Sequence, residues 1–294
     1  MWQFLEKRVH WALMLPALLL LVGLTSYPVL YTGILALSRY NLVRPWVPHG
    51  FLGPGNFVAF LSDTYLWRAL WVTFKFGFAT VSIEIVLGFL VAWLLQQKLR
   101  GSSLFRIIYL IPMMVVPVVA GLVWRLMLNP NYGIVNWAIS RVGLEPRIWL
   151  GSDWALPSVI VTQAWQWIPF SVLIFTVALV AIPKEYYEAA DVDGASPWFT
   201  FRHITLPNLR WAIMIVSIFK LSDAIKAFDV IYIMTGGGPG VITQTLAQYI
   251  KRVGFTDFEM GYAAATSFLL LLISFAVLFP VIRRVGANDA QGKI

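Results

Sequence analysis

The chain has 294 residues, of which 59% are hydrophobic and 12% charged, against about 25% charged in soluble domains; its long uncharged runs mark an integral membrane protein. It contains no cysteine, and its three histidines are dispersed at His10, His49 and His203, which excludes disulfides, thiolate metal sites, thiol catalysis and a histidine metal cluster. The net charge of +8 includes no basic block with interleaved aromatics, so it reads as membrane-surface charge and not as a nucleic-acid footprint.

The first apolar run extends from Trp11 to Ser38 without a charge. That exceeds the apolar region of a signal peptide, about 7–15 residues, and no clear small-x-small cleavage site follows, so the run is expected to stay in the membrane. A span needs about 20 apolar residues. Segments 11–37, 67–95, 105–127, 154–182, 209–233 and 260–282 qualify, which predicts an all-α membrane protein with six transmembrane helices forming a single domain over residues 1–294. With the N-terminus inside, the inner pieces collect Lys7, Arg8, Lys98, Arg100, Arg106, Lys184, Arg202, Arg210, Arg283, Arg284 and Lys293. The longer outer pieces hold only Arg39, Arg44, Arg68, Arg125, Arg141, Arg147, Lys251 and Arg252. This asymmetry favours cytoplasmic N- and C-termini. Trp46, Trp67, Trp71, Trp124, Trp149 and Trp154 suit an interfacial belt. The outer loops 38–66 and 128–153, rich in Trp, Pro, Gly and Asn, suit short ordered elements lying on the bilayer.

Within span two, Glu84 is a lone carboxylate near the middle. Lys75 lies about 13 Å away along the helix at 1.5 Å per residue, too far to pair, so Glu84 pairs across helices or titrates; the default reading is structural. In span four, Gln163, Gln166, Trp167 and Phe170 fall at i, i+3, i+4 and i+7, one helical face. Two amides beside two aromatic rings suit a sugar, whose hydroxyls take amide hydrogen bonds and whose apolar faces stack on indole. Helix packing with glutamines as interhelical glue is the competing reading. Pro169 allows this helix to bend.

Residues 183–207 form the one markedly polar stretch between two spans, PKEYYEAADVDGASPWFTFRHITLP. Pro183 suits a first helical position, and Gly194 the left-handed residue that closes the helix. Ser196-Pro197 reads as the N-cap and first residue of a second short helix, ending before Leu206-Pro207. With the N-terminus inside, this hairpin faces the cytoplasm. Span five then carries Lys220, Asp223, Lys226 and Asp229, alternating in sign at intervals of three, so that neighbours can neutralise each other. Charges inside a span usually face a cavity or a partner. Lys220 and Asp223 are therefore equally readable as pathway groups or as glue, whereas Lys226 and Asp229 read as structural. Gly236-Gly237-Gly238-Pro239-Gly240 lacks the following Lys-Ser/Thr of a phosphate loop and is expected to be a sharp turn leaving span five. No catalytic constellation stands out; an ion-gradient-driven transporter or membrane enzyme using Glu84 and the charge ladder is the alternative to a chain energised by a partner.

The hairpin resembles the cytoplasmic loop of ABC-importer permease subunits: Glu188-Ala189-Ala190, Gly194, Ile204 and Leu206-Pro207 match its E-A-A…G…I-x-L-P pattern, and Asp193-Gly194-Ala195 is the form common in sugar importers. A second stretch, Phe228 to Pro239 followed by Thr245-Leu246 and Tyr249-Ile250, is similar to the carbohydrate-uptake permeases of the maltose and glycerol-phosphate type. With six spans and Tyr27-Pro28 the resemblance covers essentially the whole chain; Asn208-Leu209-Arg210-Trp211 departs from it, since many relatives place a Pro there.

The resemblance implies an ABC type I importer permease fold in a prokaryotic plasma (inner) membrane, and a complex with a second homologous permease, two ABC ATPase subunits and an extracytoplasmic solute-binding protein. It implies no cofactor in this chain, ATP and Mg being bound by the ATPases, and no catalysis. The hairpin becomes the coupling element, through Tyr187, Glu188, Ala189, Ala190, Asp193, Gly194, Ile204, Leu206 and Pro207. Helical spacing adds that Tyr187, Ala190 and Gly194 share a face. Anchored on Pro169 and on the Thr-x-Gly-Gly-Pro turn, the family's sugar contacts fall at Gln163, Gln166, Trp167, Phe170, Lys220, Asp223, Ala224 and Ala227. The solute implied is a sugar or polyol, a phosphorylated one included.

Overall fold

A computed structural model describes residues 2–44, 50–97 and 102–289; Trp46, His49, Lys98, Arg100 and Lys293 lie outside these. In chain order the elements are α1 (Trp2–Ala36), β1 (Ser38–Arg39), β2 (Gly50–Phe51), α2 (Gly55–Val58), a 3-10 turn (Ala59–Leu61), α3 (Thr64–Gln96), α4 (Ser102–Met114), α5 (Pro117–Met127), α6 (Ile134–Arg141) and α7 (Ala155–Val180). There follow α8 (Lys184–Val192), α9 (Pro197–Thr200), a π-helical turn (Phe201–Thr205), α10 (Leu206–Asn208), α11 (Arg210–Ile225), α12 (Asp229–Thr235), α13 (Leu246–Phe255) and α14 (Met260–Asp289). Among the described residues four helical stretches are long and apolar enough to cross a membrane: Leu13–Ala36, Thr64–Gln96, Ala155–Val180 and Met260–Val277. Two bent pairs bring the number to as many as six.

The second pair, Pro197–Asn208 and Arg210–Ile225, meets at 60°, and two expected spans are broken. Segment 105–127 is not one straight helix: Ile107–Met114 and Pro117–Met127 meet at 105°. Pro112 and Pro117 bracket the break, and Val116, which precedes a proline, takes the extended conformation that such a residue prefers (φ −61°, ψ 135°). Segment 209–233 is likewise interrupted, because α11 stops at Ile225 and α12 starts at Asp229. Downstream side chains take up the backbone there. Thr245 Oγ1 donates to the Ala227 carbonyl (3.3 Å) and Gln248 Nε2 to that of Phe228 (2.9 Å), so the backbone groups released by the break keep partners. Lys226 and Asp229 therefore do not continue the α11 ladder.

The chain divides into two compact units. One comprises Met1–Asp63 with Ile250–Leu271. In it β1 and β2 pair antiparallel, Ser38 opposite Phe51. Asn56 Nδ2 ties α2 to the carbonyls of Ala36 (2.8 Å) and Ser38 (3.0 Å). Buried Ala36, Ala264 and Ala265 pack with Phe57, Phe60 and Phe268. Tyr262 donates to Asp63 at 2.6 Å and Asn41 to Glu259 at 2.9 Å.

The other unit, Thr64–Tyr249 with Leu272–Ile294, is built on α3, α7 and α11. Two apolar layers fix their register. In one, Phe76 of α3 packs with Val159 and Ile160 of α7 and Ala224 of α11. In the other, Ala92 and Leu95 pack with Val172, Phe175 and Leu179 and with Ala212 and Val216. Helix α3 thus runs parallel to α7 and antiparallel to α11. Glycines permit the close approach: a Cβ on Gly88 would lie 2.5 Å from the Ser171 Cβ.

Candidate functional site: a charged seam and a polar hairpin

The α7 stripe forms, but its members do different things. Gln166 is buried and donates through Nε2 to the Val115 carbonyl at 2.7 Å. That carbonyl lies in the break between α4 and α5, so this amide nitrogen is committed to holding the bend. Gln163 is buried, and Trp167 and Phe170 are half-buried. On α11, Lys220 is 2% exposed, whereas Asp223 is 48% exposed. Lys220 Nζ sits 3.2 Å from Asp223 Oδ2 and 3.7 Å from the centroid of the Trp167 ring, with the Phe170 ring centroid 5.7 Å away. One ammonium therefore makes an ion pair along α11 and, by a cation–π contact, joins α11 to the aromatic face of α7. Ala224 is buried in the Phe76 layer, and Ala227 packs against it from the break. The structure thus brings Trp167, Phe170, Lys220 and Asp223 together, and gives Ala224 and Ala227 packing positions.

Sequence reasoning left Glu84 without a partner. It is completely buried on α3, and neither carboxylate oxygen has a hydrogen-bond partner among the described residues. It falls midway between Phe76 and Ala92, the two layers that set the register, and so lies level with Trp167 of α7 and Lys220 of α11. The charges that act on it are those of Lys220 and Asp223. The signal available in the sequence was only that spans two and five each carried charge.

The hairpin closes as its punctuation predicts, with small shifts. Pro183 is the N-cap and not the first helical residue. Gly194 is left-handed (φ 66°), its N–H donating to the Asp191 carbonyl while that of Ala195 donates to Ala190; this is the double bond of a Schellman closure. The Ser196 hydroxyl accepts from Phe199 N at 3.2 Å and Pro197 opens α9. The second helix does not stop before Leu206-Pro207: the helical path runs through the π turn to Asn208, because a proline is tolerated in the first turn of the new α segment. The expected coupling face also divides. Ala190 is buried, Tyr187 and Ile204 pack against the Phe175 layer, and Tyr187 and Thr205 hydroxyls meet at 3.2 Å. Glu188, Ala189, Asp193, Gly194, Leu206 and Pro207 stay exposed. The inward residues anchor the hairpin; the outward ones are the surface it offers.

The Gly-rich turn closes α12. Gly236 is its left-handed end (φ 63°), and the Thr243 hydroxyl bridges the Gly238 carbonyl (2.8 Å) and Thr235 (2.7 Å). It is a pinned turn with its polar groups engaged internally.

With this geometry in hand, comparison with known proteins is decisive. Residues 84–284 match the family described as binding-protein-dependent transport system inner membrane component. The chain belongs to that family. It is 35% identical to a probable ABC transporter permease, y4oQ, of Sinorhizobium fredii, covering 92% of this chain and 88% of that one. It is 33% identical to the trehalose/maltose transport system permease MalF of Thermococcus litoralis, over 94% of each chain, and 33% identical to the sulfoquinovosyl glycerol transport system permease SmoG of Agrobacterium fabrum, over 98% and 94%. The fold matches that of a chain from a bacterial ABC transporter involved in the import of the acidic polysaccharide alginate, with a TM-score of 0.80 at 20% identity, over 96% of this chain and 97% of that one. The protein is thus an inner-membrane permease component of the ABC importer type, with the corresponding all-α fold.

Proposed function

We propose that this chain is one of two permease subunits of an ATP-driven importer for an uncharged sugar, with N- and C-termini in the cytoplasm. Two ATPases hydrolyse ATP below it and an external binding protein delivers the solute. The observation that carries the solute side is the Trp167–Lys220–Asp223 arrangement: an indole face for a pyranose ring beside a half-exposed carboxylate for hydroxyls. Family membership and the trehalose/maltose relative support the sugar class. The charge balance supports an uncharged solute. Among the described residues of this seam the one cation, Lys220, is already paired with Asp223, so it offers no unpaired positive charge to attract an acidic one.

On the energy side, the exposed Glu188–Gly194 ridge is the coupling surface, seated in a cleft of an ATPase, and its movement rocks α7 and α11 between inward- and outward-facing states. The test is uptake of radiolabelled trehalose by cells producing the whole transporter. Glu188→Lys and Gly194→Asp are each expected to abolish uptake and solute-stimulated ATP hydrolysis while the protein still inserts in the membrane. Undiminished uptake in both variants overturns the reading, as does uptake that an uncoupler stops while cellular ATP persists.

A further inference from the structure

The solute face just proposed is covered by the chain itself. The Lys220 ammonium lies 3.7 Å from the centroid of the Trp167 ring and 3.2 Å from the Asp223 carboxylate. A sugar that stacks on the indole face under Lys220 and donates a hydroxyl to Asp223 Oδ2 displaces the ammonium from both. Moving a lysine charge off its partners inside a span is costly unless another counter-ion receives it.

One such receiver is in place. Glu84 lies at the same level of the α3–α7–α11 packing, completely buried, with both carboxylate oxygens unpartnered among the described residues. The hydroxyls of Thr80, one turn earlier on α3, and Ser171, packed against Gly88 one turn later, are likewise buried and unpartnered. A carboxylate kept only to neutralise Lys220 would be expected to hold it. The ammonium is instead on the half-exposed Asp223, and the fully buried carboxyl group is left without a hydrogen-bond partner among the described residues, a costly arrangement that points to a second use. The lysine stem has four carbons and free rotors, enough to exchange one carboxylate for another nearby.

We infer that Glu84 is the alternate counter-ion of Lys220: it takes the ammonium over from Asp223, freeing the Trp167 ring and the Asp223 carboxylate for the solute. Glu84 is then a positioning residue that never touches the cargo. The inference rests on the solute face proposed above.

The experiment is trehalose uptake by the whole transporter, with the amount of assembled complex measured alongside. Glu84→Gln removes the receiver and is expected to raise the half-saturating concentration tenfold or more at unchanged assembly. Glu84→Gln combined with Lys220→Met removes the ammonium that needs receiving, and should bring half-saturation back to within about threefold of the native value; Glu84→Asp should restore it in part. A native half-saturation in Glu84→Gln, or a double variant no better than the single, overturns the inference. If Glu84→Gln fails to assemble, the double variant, free of both charges, decides: half-saturation near native supports the exchange, and a tenfold rise overturns it. Trp167→Ala and Asp223→Ala separate the levels. If neither shifts half-saturation, the solute face itself falls and the inference with it. If both shift it while Glu84→Gln does not, only the inference falls.

Discussion

At the scale of single residues, Asp223 and Lys220 differ in burial more than in distance. Their pair is 3.2 Å long, but Asp223 is 48% exposed and Lys220 is 2% exposed. Asp223→Ala takes the partner from a buried ammonium, a cost that is kept small only if Glu84 receives Lys220 in its place, and on that footing the complex should still assemble. If its carboxylate accepts solute hydroxyls, the loss is that of a charge-assisted hydrogen bond, about 1.5–3 kcal/mol, or roughly a 10- to 100-fold rise in half-saturation. Uptake titrations set against the yield of purified complex check this. Loss of the complex at unchanged half-saturation would assign Asp223 to structure. These two charges were visible in the sequence as an i, i+3 pair. By period and spacing, which describe one helix at a time, the indole under Lys220 was a separate stripe on α7, and only the family resemblance set the two in one site. Which face of α7 meets which face of α11 is decided by the Phe76 and Ala92 layers, whose partners are far apart in the chain.

At the scale of elements, the bend between α4 and α5 depends on one side chain from outside it. Gln166 Nε2 caps the Val115 carbonyl at 2.7 Å. Gln166→Leu removes that part-buried hydrogen bond, which costs about 0.5–1.5 kcal/mol. The purified complex should therefore unfold at lower temperature, with half-saturation for trehalose shifted less than by Trp167→Ala; an unchanged unfolding temperature would show that the bend holds by itself. The two prolines at 112 and 117 are the mark this break leaves in the sequence, and hydropathy, which draws 105–127 as one span, passes over it because both halves are apolar. The interruption after Ile225 had no comparable mark. Its carbonyls are taken by Thr245 and Gln248, and no local pattern shows a partner lying twenty residues downstream. The hairpin was the most legible element, since Gly194, Ser196 and Pro197 act through their own backbone neighbours. Its inward and outward faces were less so. Tyr187 and Ala190 share a helical face in the sequence, but Tyr187 packs against the Phe175 layer and Ala190 is buried.

At the scale of the molecule, orientation decides whether the exposed ridge of α8 can meet an ATPase at all. The positive charges favour a cytoplasmic hairpin, and the absence of cysteine from the chain makes the question experimentally clean. Asp193→Cys places a thiol on the exposed hairpin, and Glu145→Cys places one in the exposed loop between α6 and α7. An impermeant maleimide added to intact spheroplasts should label Glu145→Cys and spare Asp193→Cys, with Asp193→Cys reacting only once the membrane is opened. The reverse pattern would put the hairpin outside, out of reach of ATP, and would remove the coupling role whatever the hairpin's sequence. The expected pattern has a further consequence for the charged seam. Helix α7 leads into the hairpin, and α11 leaves it after a 60° bend at the end of α10, so a push on the Glu188–Gly194 ridge is passed to Trp167 and Lys220 through the two helices that flank it. In a transporter trapped with a non-hydrolysed ATP analogue, the ammonium contact to Trp167 should therefore change. Fluorescence of a 5-hydroxytryptophan at position 167 reads that change directly, and an identical signal with and without nucleotide would separate the seam from the coupling cycle.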